Sequence, residues 1–360
     1  MKIGMLHLFE NPVGRTEHEI IKEQMELMYE AEVLGFDSVW PAEHHFSEYG
    51  YCASPQVSLA AVAARTKRIR LGTGVVVLPF HNPVRVAEDF AFLDLMSDGR
   101  VDLGVGRGYQ PMEYQGFGMA DKQADSRAIF DEAINLVRQC WTQERVTFKG
   151  TYYQVEDLVV RPKPLQQPHP PIYMACLSPA TFRIAGRYGF NVMTSGAFGL
   201  TAEQATQGIA DYRAGRKEVG LDPAGGIVAL MLKIYTGDTM DGARRDYAGP
   251  CTWYYRTIAK YVAPPPGSAP VKSYELYGNA RGLAQTLDFE RLANSPLMVC
   301  GDVDHCVEKL TRVIQTYGFD EMLCWTRIGG LDSRKVLRSM ELMSGAVMPR
   351  VRKAVTKLAA

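Results

Sequence analysis

A closed (β/α)8 barrel is the fold class that this sequence predicts, and three observations predict it. Eight short apolar runs alternate with stretches of helical periodicity along the 360 residues. The runs are apolar on both faces, as strands of a parallel sheet covered by helices must be. No GxGxxG turn follows the first run, which leaves the open, doubly wound sheet as the second choice behind the barrel.

Each element has its own signal. IGMLHLF (3–9) reads as a buried strand, and Ile21, Met25, Met28 and Ala31 then recur at helical spacing until Gly35 supplies the stop. SVWPAE (38–43) is the second strand, followed by an Ala-rich helix from Pro55 to Arg65. RLGTGVVVLP (70–79) is the third, with Val86, Phe90 and Leu93 marking the next helix. VDLGVG (101–106) is the fourth, and Phe130, Ile134, Val137 and Trp141 mark the helix after it. The rhythm breaks at VTFKGTYYQVEDLVVRPKP (146–164), which predicts a β-hairpin excursion with Lys149-Gly150 at its turn. IYMAC (172–176), a helix from about Pro179 to Tyr188, NVMTS (191–195), a helix over 202–219 and IVALMLKIY (227–235) resume it. Residues 248–296 show no clear period, contain PPPG at 264–267 and are rich in Tyr and Gly. Residues 240–296 therefore read as a long insertion after the seventh strand, and loops of such length are usually functional. Val307, Leu310, Ile314 and Tyr317 form a helical stripe, EMLCWTRI (321–328) is the eighth strand, and Val336, Met340, Met343 and Val347 close the chain as a helix. One domain spanning 1–360 is expected.

Composition narrows the function classes. Forty basic and forty acidic residues give zero formal charge, and no block of like charge occurs, so electrostatic capture of nucleic acid or an anionic membrane is not expected. No apolar run reaches the ~18–20 residues of a membrane span, and MKIGMLHLFENP lacks the features of a signal peptide. The seven cysteines are scattered, odd in number and never in a CxxC pair, the pattern of reduced thiols in a cytoplasmic protein.

In a barrel, chemistry belongs at the C-terminal ends of the strands. Glu43-His44-His45-Phe46, after the second strand, is the strongest local signal there. Neighbouring side chains point opposite ways, so one imidazole can enter the barrel mouth while the other packs outside. Three readings stay open: an acid/base or hydrogen-bond donor, a structural pair in a turn, or a metal site completed by His7, His81 or His169. No HxH or HExxH arrangement supports the third. Gly104-Val105-Gly106-Arg107-Gly108 would let a ligand approach the backbone beside an Arg able to bind phosphate, although Gly is common at such turns. Ser178-Pro179-Ala180-Thr181 reads as a helix start, either a simple N-cap or, at a barrel mouth, a phosphate site. Arg127, in Asp125-Ser126-Arg127, would add a second charge, or be a solvated residue at a helix start. Gly72-Thr73-Gly74 removes bulk from the barrel interior. No GxSxG elbow, Walker loop or paired nucleophile and base is present, so acyl and phosphoryl transfer lack their usual machinery.

Taken together, AEHHFSEYG (42–50), LGTGVVVLPFHNPVRVAEDFAFLDLMSDGR (71–100) and GVGRG (104–108) resemble the bacterial luciferase-like family of flavin-dependent monooxygenases. CGDVDHCVEKL (300–310), GFDEMLCWTRIGGL (318–331) and SMELMSGAVMPRV (339–351) resemble that family's closing segments, so the similarity spans the chain except 240–296. The resemblance implies a (β/α)8 barrel, a homodimer, and FMN bound reversibly in its reduced form, supplied by a separate flavin reductase. It implies that O2 reacts at the flavin C4a and that a small organic substrate is oxygenated. By the same resemblance His44 is the active-site histidine, and Gly74 and Val75 are the backbone beside the isoalloxazine, often through a non-proline cis peptide. Arg107 and Arg127 match basic residues near the FMN phosphate, Glu43 an acid that pairs with Arg107, Ser178 and Thr181 the hydroxyls at the phosphate, and Ser195 and Gly196 the strand-six wall. Gly106 stands where luciferase has a reactive Cys and Gly196 where it has a Trp, which argues for chemistry other than light emission. Trp253, Tyr254, Tyr255, Tyr261, Tyr274 and Tyr277 suggest a cover over an apolar or aromatic substrate, or the surface packing of an oversized loop. Hydroxylation and Baeyer–Villiger oxidation both remain open. Two rival readings are a deazaflavin (F420)-dependent oxidoreductase on the same barrel and a non-catalytic flavin-binding subunit.

Overall fold

A computed structural model describes residues 1–195, 202–263, 274, 277–296 and 298–359. The first half alternates strand and helix as expected: β1 (Lys2–His7), α1 (Glu17–Val33), β2 (Ser38–Pro41), α2 (Pro55–Arg65), β3 (Arg70–Gly72), β4 (Val76–Val77), α3 (Pro83–Met96) and β5 (Val101–Gly106). A short helix α4 (Pro111–Gly116) precedes α5 (Ser126–Thr142), and β6 (Val146–Lys149) with β7 (Gln154–Leu158) forms an antiparallel hairpin off the main sheet. The second half carries β8 (Ile172–Ala175), α6 (Pro179–Tyr188), β9 (Asn191–Ser195), α7 (Ala202–Glu218) and β10 (Val228–Thr236). Then follow α8 (Met240–Val262), α9 (Ala280–Gln285), α10 (Phe289–Ala293), β11 (Met298–Gly301), α11 (Val303–Tyr317), β12 (Glu321–Trp325), α12 (Ser333–Leu342) and α13 (Met348–Ala359).

All main-sheet pairings are parallel, and the sheet closes on itself. The β12–β1 pairing sets Lys2 beside Glu321, and the β9–β10 pairing sets Val192 beside Val228, which makes an eight-stranded barrel with β3 and β4 sharing one position. That shared strand is interrupted where the sequence reads Gly72-Thr73-Gly74, and the Gly74–Val75 peptide is cis. Thr73 bridges the gap: its hydroxyl donates to Gly104 O (2.7 Å) and accepts from Gly104 N–H (2.9 Å), so the ladder polar groups stay satisfied. At the N-terminal end of the barrel Arg70 grips Asp102 with two hydrogen bonds (2.6 and 2.7 Å), while Ser38 and Tyr173 donate to Glu321 (both 3.1 Å). That end is sealed by paired polar groups, and the other end is open for ligands.

The structure corrects the sequence reading in three places. The buried face of α1 is Ile20, Gln24, Leu27, Met28 and Ala31: Met28 and Ala31 fall on it as predicted, Met25 is half-buried, and Ile21 is exposed with Ile20 in its place. Gln24 turns inward because it accepts a hydrogen bond from His7 Nδ1 (2.9 Å), a polar contact that apolar counting cannot see. Residues 248–262 are helical: α8 buries Ala243, Tyr247, Cys251, Tyr254, Ile258 and Val262, a true three-to-four spacing obscured by Pro250 and by tyrosines serving as core residues. An extra strand, β11, follows the expected insertion, where the sequence predicts no strand, and extends the sheet beside Lys233–Thr236 of β10. PPPG (264–267) lies outside the described residues.

Candidate active site

A cavity opens at the C-terminal ends of the strands, walled by Leu6, Leu8, Val75, Met174, Met193, Met231 and Trp325 and reached by polar groups from the intervening loops. The two adjacent histidines diverge as strand-end geometry requires. His44 lines the cavity, whereas His45 turns away, donates to Glu43 Oε1 (2.9 Å) and packs edge-on against Phe117. Glu43 is buried and also accepts from His81 Nε2 (2.8 Å) and Val77 N–H (2.9 Å). Burial alone would raise its pKa; the His45 and His81 contacts outweigh it and hold the carboxyl below its usual range. The expected pairing of Glu43 with Arg107 does not form: the carboxylate lines the cavity, but both its oxygens are taken by His45, His81 and Val77. His7 and His169 are held elsewhere, by Gln24 and the Pro170 carbonyl, and among the described residues no three potential ligands gather around a metal position.

His44 has a defined orientation. Its Nδ1 lies 3.0 Å from Glu113 Oε1, which also accepts the His45 backbone N–H at 3.0 Å. A carboxylate can only accept, so Nδ1 carries a hydrogen and Nε2 presents its lone pair toward Tyr109 Oη, 3.5 Å away. The Gln110 side-chain amide lies 3.3 Å from the same Nδ1. Glu113, Tyr109 and Gln110 were not identified from sequence. Pro111 at the start of α4 was the one available signal, since a helix beginning there turns Glu113 back toward the barrel.

The basic residues gather at a second pole. Arg107 lines the cavity with its guanidinium 5.0 Å from the Tyr274 ring, and its backbone carbonyl accepts from Tyr114. Arg127 stands at the start of α5, where burial first and the Arg107 charge second push its pKa down. Its Nη1 is buried without a hydrogen-bond partner, and neither guanidinium has an ion-pair partner among the described residues. Ser178 and Thr181 line the same cavity at the start of α6, where Ser178 N–H donates to Thr181 Oγ1 (3.2 Å) and the Thr181 hydroxyl donates to Ser178 O (2.6 Å). Arg107 on the cavity wall, Arg127 behind it with Asp131 as the nearby counter-charge, and a helix start suit a dianion. The FMN phosphate fits that donor set.

Gly74, Val75, Gly106 and Ser195 also reach the cavity, and Gly196 lies outside the described residues. A Cβ on Gly106 would come within 2.7 Å of Val75 Cγ2, and one on Gly74 within 2.9 Å of Leu6 Cδ1, so both glycines keep the wall beside the cis peptide flat.

Comparison with known proteins places this geometry. The family profile described as luciferase-like monooxygenase matches residues 1–321. The oxygenase component of a flavin-dependent trigonelline monooxygenase from Acinetobacter baylyi is 27% identical over 346 residues, covering 93% of this chain and 91% of that one. An F420-dependent glucose-6-phosphate dehydrogenase from Amycolatopsis mediterranei is 38% identical over 181 residues, 49% of this chain and 54% of the relative. Among solved structures, the monooxygenase RslO1 from Streptomyces bottropensis superposes with a TM-score of 0.85 at 28% identity, covering 97% of this chain and 99% of that one. With a matching profile over most of its length, a closed parallel barrel and relatives aligned end to end, the chain belongs to the luciferase-like monooxygenase family.

Proposed function

We propose that the protein is an FMN-dependent monooxygenase that takes reduced FMN from a separate flavin reductase and uses O2 to oxygenate a small apolar or aromatic substrate. The observation that carries this reading is the anion pole: Arg107 lines the cavity with the start of α6, Arg127 lies near enough for the Arg107 charge to lower its pKa, and the buried Arg127 Nη1 has no partner among the described residues. When bound, reduced FMN supplies the electrons that activate O2. The chain's own groups would do the rest. Arg107, Arg127, Ser178 and Thr181 would hold the phosphate, and Gly74 and Val75 would lie flat beside the ring system. Ser195 would form the far wall. Glu43, tied to His45 and His81, would fix the loop that carries His44. His44, with Nδ1 anchored on Glu113, would accept or return a proton at Nε2. The apolar lining would exclude water.

The protein is proposed to work in the cytoplasm, as one barrel domain in a homodimer. Val57 on α2 and Phe92, Leu95 and Met96 on α3 are large apolar side chains left 40–67% exposed on adjacent helices. Such a patch is what a self-association surface presents.

The F420-dependent relative supports a second reading, in which a hydride moves and O2 takes no part. Anaerobic titration with reduced FMN and with F420, followed by turnover under isotopically labelled O2, separates the two. Tight FMN binding with label in the product is expected. Tight F420 binding and an unlabelled product would sink the monooxygenase proposal.

A further inference from the structure

Besides the anion pole the cavity has a second polar region, built from tyrosines. Tyr49, Tyr109 and Tyr254 all line it, and their hydroxyls form a chain: Tyr109 Oη to Tyr49 Oη is 3.1 Å, and Tyr49 donates to Tyr254 Oη at 3.3 Å. Burial raises the pKa of all three phenols, so each keeps its hydrogen.

Counting hydrogens along this chain gives its ends definite chemistry. Tyr49 spends its one hydrogen on Tyr254, so the 3.1 Å contact with Tyr109 must use the Tyr109 hydrogen. That hydrogen is then not available to His44 Nε2, 3.5 Å from Tyr109, and with Nδ1 committed to Glu113 the Nε2 lone pair is an open acceptor. At the other end the Tyr254 hydroxyl has no acceptor among the described residues, so its O–H is an open donor. One acceptor and one donor therefore close the chain, both on the cavity. The carboxylates lining the cavity, Glu43 and Glu113, are already engaged. Glu10, which acts on Tyr254 and Lys233 from behind the wall, is pushed up to about 8 by burial. Among the described residues the cation at this end, Lys233, sits over the Tyr254, Tyr255 and Trp325 rings (4.8, 4.9 and 4.5 Å) rather than on the cavity wall.

We propose that this end binds a neutral aromatic hydroxyl compound, its O–H donated to His44 Nε2 and its oxygen accepting from Tyr254. A ketone or ether oxygen can only accept and leaves Nε2 unpaired, a carboxylate adds a charge with no free counterion, and a hydroxyl satisfies both ends. Phe and Met side chains elsewhere in the lining suit a flat apolar ring, and Tyr109 stacked on Tyr277 (5.6 Å, 23°) extends the aromatic wall. The inference names the substrate class of the site assigned above and rests on that reading.

The test uses β-naphthol, β-methoxynaphthalene, naphthalene and β-naphthoate as fluorescent probes of the protein with its anion pole filled, by FMN or, where FMN does not bind, by inorganic phosphate. β-Naphthol should bind about tenfold more tightly than naphthalene, since two hydrogen bonds replace none. β-Methoxynaphthalene should fall between them, and β-naphthoate should bind no better than naphthalene. Tyr254→Phe should cut β-naphthol and β-methoxynaphthalene affinity three- to tenfold while leaving naphthalene unchanged. Tyr261→Phe, which removes a hydroxyl bonded to Glu48 outside the cavity, should change none of the four. Equal affinities for the four probes, preference for β-naphthoate, or equal weakening of all probes by Tyr254→Phe would overturn the assignment. A flavin titration of the same samples keeps the two proposals apart. Loss of FMN binding with the hydroxyl preference intact refutes the cofactor reading alone, and FMN binding without hydroxyl preference refutes this one alone.

Discussion

The His44 ring and the Glu113 carboxylate, 69 positions apart in sequence, meet at 3.0 Å on the cavity wall. The contact joins the loop after β2 to the short helix after β5, and the same carboxylate oxygen holds the His45 amide. One buried acid thus sets both the tautomer and the position of the imidazole.

Glu113→Gln keeps the volume but replaces an acceptor with an amide that can present a donor to Nδ1. Turnover with reduced FMN and O2 should fall by at least tenfold, while FMN affinity stays within about twofold. Steady-state kinetics beside a flavin titration checks both; unchanged kcat would remove Glu113 from the positioning role.

Arg107→Ala and Arg127→Ala should each weaken FMN binding by about one to two decades, the equivalent of a charge-assisted contact of roughly 1.5–3 kcal/mol. Riboflavin, which lacks the phosphate, should be indifferent to either change. Equal losses for both flavins would mean that these residues shape the ring pocket instead.

Burial pushes Lys233 from its usual 10.5 down to about 8, partly opposed by Cys251 and Glu10. A folded-state pKa below the unfolded one means that the charged form is disfavoured in the fold. The penalty is complete below pH 8 and fades as pH rises toward 10.5. Lys233→Met should therefore raise Tm by several degrees at neutral pH, with the gain vanishing near the upper limit. Thermal melts across that range decide it, and a variant less stable at pH 7 would show that the aromatic cage outweighs burial.

Phe92→Asp should shift the protein from dimer to monomer if the α2–α3 patch joins two copies, because it puts a charge in place of the most exposed apolar side chain on α3. Sedimentation or light scattering of both proteins reads the mass directly. A dimer that survives the change places the interface elsewhere.

Much of this architecture was legible in the residues. The strands VDLGVG and NVMTS and the helix from Pro179 to Tyr188 fall where periodicity and capping put them, because each is fixed by local pattern. α8 escaped because Pro250 and four clustered aromatics imitate a loop, although Tyr247, Cys251, Tyr254 and Ile258 keep helical spacing. The Arg107 and Arg127 cradle could be sketched from resemblance. The partners of Glu43 could not: His81 reaches it across 38 residues, and only the folded chain shows that two imidazoles, not Arg107, claim that oxygen. Glu113 was hidden for the same reason.

Tyr274 connects the segment between β10 and β11 to the rest: its hydroxyl donates to Gly108 O (2.9 Å) and meets Ser126 Oγ (3.0 Å), and its ring faces Arg107. The anion cradle draws on residues 107–181, whereas Tyr254, Tyr274 and Tyr277 come from the stretch between β10 and β11. On these proposals the flavin cradle and Tyr254 are written in different stretches of the gene, while His44, Tyr49 and Tyr109 tie substrate recognition back to the first half of the barrel. A chimera that imports a relative's whole 240–296 stretch is therefore expected to alter only the Tyr254 side of the substrate site and to keep the proposed flavin cradle, provided that position 274 stays Tyr.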